Sequence, residues 1–365
     1  MYRRPRKRPY FGWIIAILAV ALLGAGIYGI VKWIGGTPTL DKNAVHLPNS
    51  DPSGVFAWDN GMLFVDGRQL TCQELSGDKL WSTPLPENGM KAARVGTITV
   101  AWGGRSVVVV DEKGEQKPMP QLNGDVVVAA PGSKYYAVVT KEENQHRLSI
   151  YNVKDASFVD GDLFPYQSVL GMGFFGKNLS QFWLLIVDSH STEPVTKLKT
   201  YYPGKSNSGE IILKNEIGYA ACLVEKTKYL VGTHTLTEYT SDKTESKLIY
   251  GWNLQDMLQE SNGTVSFLFA PATAGSAGQI SALWYVNTGG DEYRVPLPAG
   301  CTKAMLKEHG RLCAVTANGV WAMAKDGSSS RFYPIGRKVE SIAAVIPGKA
   351  FVMVEQHRNY LIQMP

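Results

Sequence analysis

The sequence predicts an all-β domain that follows a single membrane-spanning helix. Short runs rich in Val, Ile, Tyr, Phe and Trp recur after residue 54, separated by turn-forming residues. None of these runs has the length and 3.6-residue period of a helix that connects parallel strands. One uncharged run of 21 residues, 11–31, stands near the start of the 365-residue chain. These observations indicate an antiparallel β domain, not an α/β domain, behind one apolar helix.

The first ten residues carry the whole excess of positive charge. Their basic residues are Arg3, Arg4, Arg6, Lys7 and Arg8, and they include no acid. The chain has 37 Lys and Arg against 32 Asp and Glu, so these five charges equal its formal net charge of +5. Everything after Tyr10 therefore sums to zero. A neutral body argues against a nucleic-acid partner, because such a partner needs Lys and Arg clustered over the folded surface.

Residues 11–34 are predicted to form a transmembrane signal-anchor helix. The uncharged run would span about 32 Å, which matches a hydrocarbon core of roughly 30 Å. Trp13 lies at one end of the span, and Tyr28 and Trp33 lie near the other, where aromatic rings favour the interface. The positive-inside rule then places residues 1–10 in the cytoplasm. We expect a single-pass protein of the cell membrane that contacts the bilayer through 11–34 and has its C-terminal domain outside.

Two further interpretations of the span remain open. A cleaved signal peptide would use the small residues 24–26, but the apolar run continues beyond them, which favours an uncleaved anchor. Ala21, Ala25 and Gly29 recur every fourth residue on one helix face. Such a stripe lets helices approach closely in lipid and would support a weak dimer, although small residues are common in membrane spans.

The domain after the linker consists of repeated units. Residues 35–53 are rich in Gly and Pro and predict an extended linker, and residues 54–365 form the outer domain. Repeat units begin near Gly54, Ala92, Asp125, Ser168, Ile217, Val265, Thr302 and Val339. Their spacing of about 33–49 residues is that of a four-stranded blade, which predicts a seven- or eight-bladed β-propeller. A pair of β-sandwiches would need internal linkers, and a β-helix would need shorter repeats.

The last unit favours eight blades. It has only three strands before the chain stops, and Asn43–Leu47 is placed to supply the missing one. A ring closed in this way leaves no long exposed sheet edge. The best helical candidate in the domain is the short amphipathic stretch 253–261.

One segment carries a family resemblance. Residues 75–81, LSGDKLW, resemble the repeat of quinoprotein-like (PQQ-like) propellers, and Trp58-Asp59 matches the dipeptide of WD-like propellers. The resemblance implies that Trp81 packs between neighbouring blades and that Gly77 has a positive φ. Residues 110–115 and 323–327 resemble the same repeat less closely. The resemblance specifies no active site.

The whole layout is similar to that of membrane-anchored propeller proteins of Gram-positive bacteria. It is distantly similar to the propeller lipoprotein that assists outer-membrane protein assembly. It departs from that family because no Cys precedes Cys72 to accept a lipid.

No motif for catalysis, metal or cofactor binding is present. Nucleophile elbows, phosphate loops and dinucleotide fingerprints are absent from the sequence, and the six histidines show no ligand spacing. Asp160 and Asp162 are a Ca²⁺-type pair, but no third acid follows at loop spacing, which favours a hairpin turn. We therefore predict no catalytic residues, no metal site and no cofactor.

The four cysteines allow disulfides outside the cell. Cys301 and Cys313 flank one turn and are the candidate pair. A turn at 307–310 would instead place Met305 or Ala304 opposite Cys313, which favours buried thiols.

The predicted function is that of a non-enzymatic scaffold or binding module for a cell-envelope protein or polymer. A complete anchor and a rigid body without a catalytic motif support this interpretation. The alternative is a propeller enzyme of the quinoprotein, lactonase or lyase type, with its site at the central channel.

Overall fold

A computed structural model describes residues 39–48, 51–188, 190, 192–205, 207–273 and 278–365, except for the side chains of residues 207 and 208. The prediction of an all-β domain is confirmed. The helices among these residues are three short 3-10 segments, Leu40–Asn43, Pro52–Gly54 and Lys177–Leu179. No helix in this part of the chain is long and apolar enough to cross a membrane. Three predicted features lie outside the described residues: the basic tip at 1–10, the span at 11–34, and the stripe of Ala21, Ala25 and Gly29.

The described strands form eight antiparallel sheets, which we number as blades in chain order. Blade 1 consists of β2 (Val55–Trp58), β3 (Gly61–Asp66), β4 (Gln69–Glu74) and β5 (Lys79–Pro84). Blade 2 consists of β6 (Lys91–Val95), β7 (Ile98–Gly103) and β8 (Ser106–Val110). Blade 3 consists of β9 (Asp125–Pro131), β10 (Tyr135–Glu142), β11 (Gln145–Asn152) and β12 (Phe158–Pro165). Blade 4 consists of β13 (Gln167–Phe175), β14 (Gln181–Asp188), β15 (Val195–Tyr201) and β16 (Asn207–Lys214).

The second half of the ring continues in the same order. Blade 5 consists of β17 (Gly218–Val224), β18 (Thr227–Gly232), β19 (Thr235–Tyr239) and β20 (Thr244–Leu248). Blade 6 consists of β21 (Trp252–Gln259), β22 (Val265–Pro271), β23 (Ala282–Asn287) and β24 (Glu292–Pro296). Blade 7 consists of β25 (Cys301–Lys307), β26 (Arg311–Thr316), β27 (Gly319–Ala324) and β28 (Ser330–Pro334). Blade 8 consists of β29 (Ser341–Ile346), β30 (Ala350–Glu355), β31 (Arg358–Gln363) and β1 (Val45–His46).

Eight hydrophobic clusters hold the blades together, and each lies between two neighbouring blades. In β3, Leu63 and Val65 pack toward blade 2, whereas Met62 and Phe64 pack toward blade 8. Because successive side chains of a strand point to opposite faces, a middle strand of a blade is buried on both. This explains the continuous apolar runs of the sequence. The clusters close a ring, so the prediction of an eight-bladed propeller is confirmed.

The closure of the ring uses the predicted N-terminal segment. In blade 8, β1 pairs with β31 through Val45 opposite Leu361 and His46 opposite Tyr360. The backbone N–H of Leu47 donates to Asn359 O at 3.0 Å, and the Leu47 side chain is buried between blades 8 and 1. The expectation that Asn43–Leu47 supplies the missing strand is therefore confirmed.

The prediction for blade 6 is wrong in two respects. The helical candidate 253–261 lies mainly in β21, and Val265 begins the second strand of this blade, not the first. A β-bulge between Leu254 and Asp256 is the cause. It adds one residue, so that Leu254 and Met257 pack against the same cluster although they stand three positions apart. Their spacing imitates that of a helix.

Blade 2 and strand β12 also differ from expectation. Blade 2 has three strands, because the segment after β8 contains Pro118 and Pro120, which cannot donate to a sheet ladder. Asp160 and Asp162 lie inside strand β12 and not in the expected hairpin turn.

Candidate functional site

Antiparallel pairing gives the ring two distinct faces. One face carries the links between blades and the turns between second and third strands, and we call it the connection face. The other carries the turns between first and second strands and between third and fourth strands, and we call it the hairpin face. Contacts between neighbouring blades agree with this division. For example, Lys325 Nζ, at the third-to-fourth turn of blade 7, donates to Asp291 of the corresponding turn of blade 6.

The first strands lie nearest the axis, because those of neighbouring blades approach one another, as β2 does with β6 and β29. Their partly exposed side chains are mostly small or apolar, including Ala57, Val128, Met172, Ala220 and Ala343. Within the described residues, no group of three or more His, Cys, Asp or Glu side chains is arranged to hold a metal ion.

The segment of the family resemblance has a structural role. Trp81 packs in the cluster between blades 1 and 2, and Gly77 has a φ of 95°, as the resemblance implied. Arg94 of blade 2 lies over the neighbouring rings, with its Cζ 4.6 Å from the ring centroid of Trp58 and 5.8 Å from that of Trp81. Gly114 has a φ of 87°, and a Cβ built there would lie 2.8 Å from the Cβ of Trp81. The Gly and Trp residues thus join adjacent blades.

The candidate disulfide does not form, because all four cysteines are free thiols. Cys313 lies opposite Met305, as the turn predicted, and Cys301 lies opposite Thr316. Cys301 packs between blades 6 and 7, whereas Cys313 packs between blades 7 and 8, so the two thiols lie in different interfaces. Burial raises the pKa of Cys301 to about 11 and that of Cys313 to about 12. A thiolate nucleophile is therefore disfavoured at either position.

In the acidic pair Asp160 and Asp162 on blade 3, the carboxylate of Asp162 is bound by side chains of the protein itself. Asp162 Oδ2 accepts from Lys199 Nζ at 3.0 Å and from the Tyr201 hydroxyl at 3.0 Å. These partners belong to blade 4. Asp162 therefore joins two blades and does not stand in a loop with Asp160.

The connection face carries an exposed aromatic surface over blades 3 to 6. Tyr166 and Tyr250 are 61% and 71% exposed. Tyr166 meets His190 edge-on with ring centroids 5.3 Å apart, and Tyr250 stacks on His234 at 5.4 Å. His190 lies in the turn between β14 and β15. The sequence carried no sign of these ring pairs, since each pair joins different turns.

The hairpin face of blades 5 to 7 carries three polar cavities of about 620, 340 and 480 Å³, and each shares lining residues with the next. Ser261, Asn262 and Thr264, in the first turn of blade 6, line the first two cavities. His309, Gly310 and Lys325 of blade 7 line the second and third. We call this surface the polar groove.

A hydrogen-bond network forms the wall of the middle cavity. The hydroxyls of Ser266 and Tyr285 are 2.9 Å apart, and Asn287 Nδ2 donates to the Tyr285 oxygen at 3.2 Å. Asn287 Nδ2 also lies 2.9 Å from Asp291 Oδ2, which accepts from Lys325 as well. These bonds, that to Lys325 first, lower the pKa of Asp291. The wall is thus charged and its donors and acceptors are fixed in position.

Two carboxylates bind blade 6 to blade 7 beneath the groove. Glu260 accepts from the backbone N–H of His309 at 3.2 Å and of Gly310 at 3.3 Å. Asp256 accepts from the backbone N–H of Leu306 at 2.7 Å and of Met257 at 2.8 Å. Desolvation by burial raises the pKa of Asp256 in spite of these bonds. The turns that line the groove are therefore held in a fixed relative position.

No protein-family model matches the chain, and no curated protein matches its sequence. Solved structures do match its fold. BamB from Moraxella catarrhalis aligns with a TM-score of 0.54 and 11% identity, over 88% of this chain and 98% of that chain. The chain is similar in fold to BamB.

A crystal structure of a eukaryotic initiation factor aligns with a TM-score of 0.52 and 8% identity, over 88% of this chain and 86% of that chain. At such low identities the likeness establishes the fold alone. It agrees with the PQQ-like and WD-like repeat that the sequence indicated, and it assigns no function.

Proposed function

We propose that the chain is a membrane-anchored, extracytoplasmic binding module that presents the polar groove to a cell-envelope protein or polymer. The observation that carries the proposal is the groove itself: three adjoining cavities on one face of a rigid ring. Its wall offers aligned donors and acceptors, and its turns are joined by Glu260 and Lys325. A pre-organised polar surface of this kind binds a partner with little ordering cost.

A binding role is favoured over an enzymatic one by the state of the ionisable groups. Among the carboxylates that line the groove, Glu260 and Asp291 are bound to backbone amides or to Lys325. Three thiols are buried, that of Cys222 is partly buried, and desolvation raises the pKa of each, for example that of Cys72 to about 11. Groups used in this way hold blades together. They are poor candidates for a nucleophile or general base, which must reach a substrate.

The location rests on the charge pattern and apolar run of the N-terminal residues. Five basic residues precede one uncharged run of 21 residues, and the rest of the chain is neutral. Addition of protease to intact cells tests the location. Digestion of the propeller with retention of an N-terminal fragment is expected, and protection of the propeller until the cells are lysed would contradict it.

Partner capture by the full-length protein tests the binding role. Ser261 is exposed and lines two cavities of the groove, so Ser261→Arg fills the groove without touching the core. Thr97→Arg is the matched control, because Thr97 is exposed in the corresponding turn of blade 2. After cross-linking in intact membranes, we expect reproducible envelope partners with wild type and Thr97→Arg, and their loss with Ser261→Arg. Equal recovery with both variants would refute the groove as the binding surface.

A further inference from the structure

The third cavity of the polar groove has a basic lining within blade 7. Its volume is about 480 Å³, and the strands β26, β27 and β28 form it together with their turns. Arg311 lies at one side and Arg331 at the other, and both are exposed. The small side chains of Ala322 and Ala324 lie between them. We call this cavity the basic depression.

Strand register places both arginines on one face of the sheet. Arg311 pairs with Ala324 in β27, and Ala322 pairs with Arg331 in β28. Paired residues share a face, and so do residues two apart, so the two arginines and the two alanines point the same way. The Cα atoms of Arg311 and Arg331 are then roughly 12 Å apart, two strand spacings across and two residues along. The methyl groups between them leave room for a ligand.

The two arginines have no carboxylate partner in the part of the chain that the structure describes. The guanidinium of Arg331 lies 5.0 Å from the ring centroid of Tyr333, which holds it beside the depression. Lys325 adds a third cation but is bound to Asp291. Asp326 is the acid of the lining, and the hydroxyl and amide of Ser328 lower its pKa.

We propose that the basic depression binds the anionic groups of a polymer, phosphate or carboxylate, through Arg311 and Arg331. The inference rests on the proposed binding function and names the chemistry of its ligand. A guanidinium binds such an oxyanion with two parallel hydrogen bonds, and these charge-assisted bonds are stronger than neutral ones. The guanidinium groups of Arg311 and Arg331, whose Cα atoms lie about 12 Å apart, bind neighbouring anionic groups of one polymer molecule. The serine-rich turn 328–330 supplies further polar groups at the rim.

The test uses the purified full-length protein in nanodiscs of zwitterionic lipid and two fluorescent probes, polyphosphate and polyglutamate. Anisotropy at low salt is expected to show binding of at least one probe. Arg311→Gln and Arg331→Gln should each weaken it roughly tenfold, since each removes one charge-assisted pair. Arg358→Gln is the matched control, because Arg358 is an exposed strand arginine at the other face of the ring. It changes the net charge equally and should leave binding unchanged.

The comparison of the probes identifies the source of the anion, phosphate or carboxylate. Binding of neither probe, or an equal loss in all three variants, would overturn the inference. The failure of the inference is distinguishable from that of the proposed function. If Ser261→Arg abolishes partner capture while neither probe binds, the groove is a binding surface and the anionic ligand is wrong. If a probe binds through the arginines but no partner is captured, the depression stands and the wider groove is not a docking surface.

Discussion

The closure of the ring depends on Leu47, which the substitution Leu47→Ala tests. Leu47 is 1% exposed and packs between blades 8 and 1, directly after the strand that completes blade 8. Truncation of a fully buried Leu removes its transfer free energy and leaves a cavity, which together cost about 3 kcal/mol. The loss falls on the interface between blades 8 and 1, beside the pairing of β1 with β31. Hydrogen exchange of β31 is therefore expected to accelerate by about 100-fold, since 1.4 kcal/mol corresponds to a factor of ten.

The assay is hydrogen exchange with peptide resolution on the full-length protein, beside unfolding in denaturant followed by Trp fluorescence. Leu80→Ala is the matched control: Leu80 is 42% exposed in the outer strand of blade 1, and its loss should change stability by less than about 0.5 kcal/mol. Blades 3 to 5 should exchange as in wild type. Unchanged exchange in β31, or an equal acceleration in every blade, would refute the idea that Leu47 holds the closure.

Three further predictions concern packing, pH and thiols. Gly114→Ala should destabilise the protein by about 2 kcal/mol, because φ at this position is positive and the added Cβ would meet Trp81. Gly67→Ala is the control: φ is also positive there but no neighbour lies within 4 Å, so the substitution should cost about 1 kcal/mol or less. Equal losses of unfolding free energy in denaturant would contradict this prediction. The raised pKa of Asp256 means that the folded state binds its proton more tightly than the unfolded state, so this group's contribution to stability falls as pH rises above the ordinary value of 3.8 toward neutrality. The stability of wild type relative to Asp256→Asn should decrease over that interval, and a constant difference in unfolding free energy would refute the assignment. A thiol reagent should label none of the four cysteines rapidly in the native protein and all four in denaturant. Each cysteine is a free thiol whose pKa is raised by burial. Rapid labelling of the native protein would contradict this prediction.

The local features of the fold were predictable from the sequence. Apolar runs such as that of β3 predicted strands. The three strands of the last unit predicted that Asn43–Leu47 supplies the fourth strand of that blade. Both conclusions need only composition, spacing and the rule that a propeller leaves no open edge. The prediction of a helix at 253–261 failed because the deciding feature is not local. A bulge is a property of the pairing between β21 and β22, and it changes which residues share a face without altering composition.

The candidate site was not predictable in the same way. The net charge after Tyr10 is zero. A sum does not show how charges are distributed, so it gave no sign that Arg311 and Arg331 are exposed in one cavity. Twenty positions separate these residues in the chain, and the register of three strands places them on one face. The same holds for Tyr250 and His234, which meet because two turns share the connection face.

The sequence by itself determined the all-β class, a propeller of seven or eight blades with eight favoured, and the segment that closes the ring, because strand period and repeat spacing are local properties of the chain. The tertiary structure alone decided the separate interfaces of Cys301 and Cys313, the polar groove of blades 5 to 7 and the basic depression. These features depend on cross-strand register and on which turns share a face of the ring. Both are set by packing between residues far apart in sequence, which no local pattern records.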